Sequence, residues 1–196
     1  MGRRYVKRAV LGLVVLLAPG GIAASGPLTI QYYDVHGDTL QDAGQWMNQH
    51  GPVGKDGRRF HGYTEWAVRW RYQLQPGRAA CTVKSVETDL SVTMQLPQWH
   101  RPEGVSPTRA REWDRYMAAL RAHEDGHADI GVAVADAIKR ELPAMRSASG
   151  CPDLAKKLDR TAMAIVDEHK ARELEYDAST RHGATQGARL QVDGPR

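Results

Sequence analysis

One long periodic segment decides the fold: residues 106–143 are SPTRAREWDRYMAALRAHEDGHADIGVAVADAIKRELP. Ser106 is suited to the N-cap of a helix and Pro107 to its first position, while Pro143 ends the run. Between these ends, mostly apolar residues recur at steps of three and four residues, which is the period of one face of an α-helix. The stripe consists of Trp113, Met117, Leu120, Glu124, His127, Gly131, Val134 and Ile138. The sequence therefore predicts a helix over most of this segment.

Two polar residues, Glu124 and His127, occupy stripe positions that the pattern alone would fill with apolar residues. Burying a carboxylate costs several kcal/mol unless it is paired or bound. His123 and His127 are four residues apart, so their imidazoles project from one helix face, one turn apart. That spacing allows both to bind one Zn²⁺ at about 2.0–2.1 Å, with Glu124 placed to take a proton from a water that the metal acidifies. The segment matches the H-E-x-x-H pattern of zinc metalloproteases.

A catalytic zinc usually has three protein ligands, so a third ligand is expected. The segment YDASTRHG, from Tyr176 to Gly183, favours His182 because it gathers a phenol, a carboxylate, hydroxyls and an imidazole before a glycine. Tyr176 could donate a hydrogen bond to the developing oxyanion, although packing in the core is the alternative for this side chain. Asp177 could orient a ligand imidazole. The other candidates for the third ligand are Glu168, His169, Glu173 and Asp177 itself.

The rest of the chain divides into a strand-rich first half and a helical second half. Strands are predicted over 28–35 and 64–74, one or two more over 81–96 ending at Pro97, a short helix over 39–50, and a second long helix over 152–176 followed by an irregular tail. We expect an α+β, zincin-like fold: a mixed or antiparallel sheet, then the helix that carries the motif, then the second helix.

The N-terminus has the layout of a secretory signal peptide, residues 1–25: a basic start, an apolar run over 9–18 and small residues before the cleavage site. The apolar run is too short to favour the alternative, a retained membrane anchor. We expect one domain over residues 26–196, with no membrane span once the leader is removed. The leader holds four of the 27 basic residues and no acidic ones, which leaves 23 of each sign. A mature chain of zero net charge argues against nucleic-acid binding.

Two cysteines, Cys81 and Cys151, remain after export. In an oxidising compartment an isolated pair favours a disulfide. Closing so long a loop would add roughly 4 kcal/mol of stability in the chain-entropy model. A cysteine nucleophile is the weaker alternative, because neither cysteine has a recognisable nucleophile context.

Several short motifs are spaced along most of the mature chain, and together they carry a resemblance to a known family. They are the leader, Tyr33-Asp34-Val35 with Gly37, Thr64-Glu65-Trp66, Leu96-Pro97, Trp113 to Tyr116, His123 to His127, Cys151, and Tyr176-Asp177 through Thr180 to His182-Gly183. The chain resembles a bacterial domain-of-unknown-function family described as predicted secreted zinc-dependent proteases. The resemblance implies a zincin-like fold, export and a zinc site, and it implies no substrate.

These observations predict a secreted or periplasmic zinc-dependent peptidase that acts on a protein or peptide, with the cell envelope as one source of substrate. Two alternatives remain: a non-catalytic, metal-containing envelope binding module, and an amidase or endopeptidase of peptidoglycan. Glu124 argues against the binding module, because a structural metal site has no use for that carboxylate.

Overall fold

The computed structural model describes residues 25–192, with side chains from residue 28. The leader predicted for residues 1–25 therefore lies, apart from the backbone of Ser25, outside the described residues. The chain has an α+β fold, with a strand-rich first half and two long helices after it, as predicted. Its elements are β1 (Ser25–Val35), α1 (Leu40–His50), β2 (Tyr63–Gln75), β3 (Cys81–Trp99), α2 (Pro107–Glu141), β4 (Arg146–Ser147) and α3 (Cys151–Thr180), with short 3-10 turns at Leu142–Ala144 and Ala184–Gln186.

The strands form one sheet in the order β1-β3-β2, and β4 pairs antiparallel with the start of β3. The predicted end of the third strand at Pro97 is wrong, because β3 continues through Pro97 to Trp99. Proline fixes φ at a value that extended backbone tolerates, and it removes only one N–H from the strand. Extended backbone alternates its faces, and β2 alternates buried or half-buried residues with exposed ones along most of its length.

The helices begin where the sequence predicts. Thr39 caps α1 in a capping box with Asp42, and the hydroxyl of Ser106 accepts a hydrogen bond from the backbone N–H of Arg109 at the start of α2. The second long helix differs from the prediction at its end, since α3 extends beyond Tyr176 to Thr180. Asp177 therefore lies on a helix and not in an irregular tail.

The described residues fall into two compact units, and β2, β3, α2 and α3 each contribute to both. One unit comprises Leu28–Trp66, Val92–Ile130 and the segment from Arg172 onward. Its core contains Val35, Leu40, Ala43, Met47, Met94, Leu96, Trp99, Trp113, Tyr116 and Leu120. The other unit comprises the start of β1 up to Pro27, Ala67–Ser91 and Gly131–Ala171. In its last segment Val134, Ile138, Leu142, Leu154 and Leu158 are fully buried.

The predicted disulfide between Cys81 and Cys151 is confirmed. It joins the first residue of β3 to the first residue of α3, and Ser147 of β4 pairs with Cys81 in the sheet. None of the helices within the described part of the chain is both long and apolar enough to cross a membrane.

Candidate metal centre

The H-E-x-x-H segment lies on α2 and faces inward. His123 and Glu124 are each 3% exposed, and the side chain of His127 is 12% exposed. The two imidazole rings lie one helical turn apart, with 4.9 Å between their centroids. The two imidazoles thus project from one face of α2, and the side chain of Glu124 is buried beside them.

A carboxylate from α3 joins the two histidines. Asp177 Oδ1 lies 3.2 Å from His123 Nε2 and 3.1 Å from His127 Nε2. Ligand atoms of the three residues lie within 4.8 Å of one another, so they form a group that could hold a metal ion. Burial raises the pKa of Asp177, but hydrogen bonds from both histidines outweigh burial and hold that pKa well below its usual range.

Each imidazole also has a partner on its second nitrogen. His123 Nδ1 lies 3.0 Å from Gln186 Oε1, and His127 Nδ1 lies 3.4 Å from Glu173 Oε1. Glu173 is itself held by the indole N–H of Trp66, which donates to Oε1 over 2.6 Å. An acceptor on Nδ1 favours a proton at that nitrogen, so Nε2 is the atom of each ring that could bind a metal after losing its own proton. The two Nε2 atoms are the ones that face Asp177.

Glu124 is fixed beside this group by residues from β2 and the preceding loop. The hydroxyl of Thr64 donates a hydrogen bond to Glu124 Oε2 over 2.8 Å. The backbone of Gly62 packs so closely that a Cβ there would lie 2.6 Å from Glu124 Oε1. Burial raises the pKa of Glu124, against the opposing effects of Thr64 and the two histidines. A buried carboxyl with a raised pKa is the kind of group that performs general acid–base chemistry near neutral pH.

Tyr176 and His182 both lie at the site, and each contacts the candidate metal group. The ring of Tyr176 stacks on His123 at 5.0 Å, and its hydroxyl donates to the carbonyl oxygen of His123 over 3.2 Å. These contacts favour a positioning role for Tyr176. His182 Nδ1 lies 3.3 Å from Asp177 Oδ2, whereas His123 and His127 contact the other oxygen, Oδ1.

The remaining sequence candidates for the third ligand are Glu173, Glu168 and His169, and they do not all belong to the same compact unit. Glu173 contacts His127, as described above, whereas Glu168 and His169 belong to the other compact unit. The ring of His169 is buried, with Nδ1 2.8 Å from the carbonyl oxygen of Ile165. Sequence reasoning missed Thr64, Trp66 and Gln186, because no periodicity or spacing links them to the motif.

The backbone turns sharply after α3. Arg181 and His182 both have φ of +51°, and Gly183 has φ of +77°. Three successive residues in the left-handed region are costly for side chains other than glycine, and such strain concentrates at functional sites. A Cβ at Gly183 would lie 2.9 Å from His123 Cγ, so this turn contacts a histidine of the candidate metal group directly.

Gly126 provides a first test of the packing. Glycine in a helix is normally less favourable than alanine by about 1 kcal/mol, but a Cβ at Gly126 would overlap the hydroxyl of Tyr176. We therefore expect Gly126→Ala to lower the free energy of unfolding by about 1–3 kcal/mol, as overpacking does, in urea titrations. In a Tyr176→Leu background the same substitution should cost little. If Gly126→Ala instead stabilised the wild-type protein, the close contact between Gly126 and Tyr176 would be contradicted.

The protonation of His127 provides a second test. Burial lowers the pKa of His127, but hydrogen bonds to Asp177 and Glu173, with the charges of Asp177 and Glu124, outweigh burial and raise the pKa to about 9. In protein treated with a chelator, the charged imidazolium of His127 therefore makes its full contribution to stability at pH values below 6.5, the ordinary histidine pKa. This contribution is lost as the pH rises through about 9. We expect the free energy of unfolding to fall by up to about 1.4 kcal/mol per pH unit within that window. In His127→Gln the fall should be absent, and an equal fall in both proteins would contradict the assignment.

The fold and the site define an α+β protein with a candidate metal centre formed by two long helices. The chain belongs to the family described as "Bacterial protein of unknown function (DUF922)", whose model matches residues 30–183. The match includes the motif helix, Asp177 and His182, and it ends before Gln186. It confirms membership of a bacterial family of unknown function, and the description assigns no activity. Comparison with curated proteins and with solved structures finds no match.

Proposed function

We propose that this protein is an exported zinc-dependent peptidase whose metal is held by His123, His127 and Asp177. The observation that carries the proposal is the convergence of His123, His127 and Asp177, whose ligand atoms lie within 4.8 Å of one another, next to the buried carboxyl of Glu124. A structural metal site would need the first three residues and would have no use for the fourth. The zincin-like character of the fold is part of the same proposal.

The donor set fits zinc. Imidazole nitrogen and carboxylate oxygen are both common zinc ligands, and a set of two histidines and one carboxylate is typical of catalytic sites that keep a position for water. The partners of the two Nδ1 atoms, Gln186 and Glu173, support the same assignment because ligand imidazoles usually donate their other N–H to such groups. A single carboxylate between two imidazoles also leaves room for a fourth, non-protein ligand.

Zinc would supply Lewis-acid polarisation of the scissile carbonyl and would make a water easier to deprotonate. Within the protein, Glu124 removes the proton of the attacking water and delivers it to the leaving amine. Thr64 holds the Glu124 carboxylate by a hydrogen bond, and the backbone of Gly62 limits its movement. Burial raises the pKa of Glu124 above that of an ordinary glutamate, which makes its carboxylate a better base toward the proton of the water.

Export is proposed from the signal-peptide layout of residues 1–25 and is supported by the disulfide between Cys81 and Cys151. Disulfides persist in oxidising compartments and are rare in the cytosol. The substrate is accordingly proposed to be a protein or peptide of the periplasm, the envelope or the medium.

The experiment is metal analysis of the mature protein followed by cleavage assays on casein and on peptidoglycan. We expect one zinc per chain and hydrolysis that a chelator abolishes and added zinc restores. Release of peptides from casein supports a peptidase, whereas cleavage of peptidoglycan alone would move the substrate to wall cross-links. Absence of zinc from protein purified in zinc-containing buffer would overturn the proposal.

A further inference from the structure

The segment after α3 covers one face of α2. We call residues 181–191 the C-terminal strap. The face consists of Glu112, Arg115, Ala119 and His123, which follow one another at steps of three and four residues and so lie in a row along the helix. The strap contacts this row at both ends and in the middle.

At one end the strap is fixed by a charged pair. Arg115 Nε and Nη2 donate to the two carboxylate oxygens of Glu112 over 2.8 and 2.7 Å. The same guanidinium donates to the carbonyl oxygens of Gly187 and Arg189 over 2.8 and 2.5 Å. Glu112 Oε1 also accepts from the backbone N–H of Gln191 over 2.8 Å. One pair of side chains on α2 therefore satisfies three backbone groups of the strap.

At the other end the strap meets the candidate metal group. Gln186 lies next to Gly187, which Arg115 holds, and its Oε1 reaches His123 Nδ1. Its side-chain amide also donates to the hydroxyl of Tyr176 over 3.1 Å. Between the two ends the strap is close to the helix, since a Cβ at Gly187 would lie 3.5 Å from the Cβ of Ala119. The position of Gln186 thus depends on the hydrogen bond between Arg115 and the carbonyl oxygen of Gly187, one residue away.

We propose that Arg115 and Glu112 are positioning residues for the metal centre, acting through Gln186 on the imidazole of His123. Neither residue touches the metal group, and the strap beyond Gly183 lies outside the family match. The guanidinium fork fixes the strap backbone, the strap places the Gln186 amide, and the amide holds the tautomer and orientation of the ligand ring. The inference rests on the proposed metal centre and adds to it a pair of side chains that lie about two to three helical turns from His123 along α2.

The test is a double-mutant cycle on zinc affinity, measured by competition with a chromophoric chelator on full-length mature protein. Gln186→Leu should weaken zinc binding by about 10-fold, at the lower end of what loss of an outer-shell partner costs. Arg115→Ala should weaken it by a similar factor. The double variant should bind about as weakly as either single variant, because both remove the same support from His123.

A merely structural role for Arg115 would give a different result. In that case the two losses would multiply, to about 100-fold in the double variant, or Arg115→Ala would leave the zinc affinity unchanged. Either result overturns the inference while the metal centre stands, whereas a wild type that binds no zinc overturns both. Arg111→Ala is the matched control, since the Arg111 guanidinium donates to the hydroxyl of Thr108 on the same helix and Arg111 is not part of the row that the strap contacts. If Arg115→Ala does not fold, Glu112→Ala replaces it in the cycle with the same expectations, because alanine removes the acceptor for both the Arg115 guanidinium and the backbone N–H of Gln191.

Discussion

Glu124→Gln is expected to lower peptide hydrolysis by about 10²–10⁴-fold, the range that general acid–base catalysis contributes, while the zinc content stays at the wild-type level. Glutamine has nearly the same shape as glutamate, and its carbonyl oxygen can still accept the hydrogen bond from Thr64. The substitution removes the capacity to take a proton from water and leaves the histidines in place. Turnover of a quenched-fluorescent peptide, with zinc measured on the same samples, checks both halves of the expectation.

Asp125→Asn is the matched control for that experiment. Asp125 is the next residue on α2, and its carboxylate pairs with Arg121 on the same helix at 2.8 Å. Its replacement removes one negative charge from the same segment without touching the metal group, so activity should change little. Equal activity of wild type and Glu124→Gln across casein, peptides and peptidoglycan would exclude the hydrolase and favour a binding protein that retains a metal.

The second large effect is expected at Asp177. Asp177→Ala removes the carboxylate that faces both Nε2 atoms, so zinc affinity should fall by more than the roughly 10–100-fold that loss of an outer-shell partner costs. His182 is the ligand that the sequence favours, and it provides the direct comparison. Because His182 has φ of +51°, His182→Asn is the suitable variant, since asparagine tolerates the left-handed region.

The two variants discriminate between the ligand sets when both are measured by chelator competition. If Asp177 is the ligand, His182→Asn should have the smaller effect, because His182 contacts Oδ2 of Asp177, whereas the other two histidines contact Oδ1. A larger loss of zinc in His182→Asn than in Asp177→Ala would establish His182 as the third ligand and assign Asp177 to its orientation. Circular dichroism of each variant confirms that the helices persist.

The parts of the site that lie within one helix could be predicted from the sequence. His123, Glu124 and His127 are related by helical periodicity alone, and α2 begins and ends within two residues of the predicted helix. The sequence predicts that the second long helix ends at Tyr176, four residues short of the end of α3, because Ser, Thr and Gly between 178 and 183 indicate a turn. Those four residues decide whether Asp177 shares a helix face with Glu173, one turn before it.

The partners that come from β2 and from the strap could not be predicted. Thr64 is 60 residues from Glu124, and Gln186 is 63 residues from His123. Periodicity determines which face of an element a residue occupies, but not which distant element packs against that face. For the same reason the sequence predicts only an irregular tail where the strap lies, since the contacts that hold the strap come from Arg115 and Glu112 and not from its own composition.

Three glycines lie against the centre where a side-chain carbon would not fit: Gly62 beside Glu124, Gly126 beside Tyr176 and Gly183 beside His123. Proteins that share this centre are therefore expected to keep glycine two residues before the threonine of β2, two residues after the motif glutamate, and directly after the histidine that follows α3. Such a spacing of small residues is a stricter signature than H-E-x-x-H by itself, because it records the approach of three separate backbone segments. It offers a way to recognise distant relatives whose ligands alone would be ambiguous.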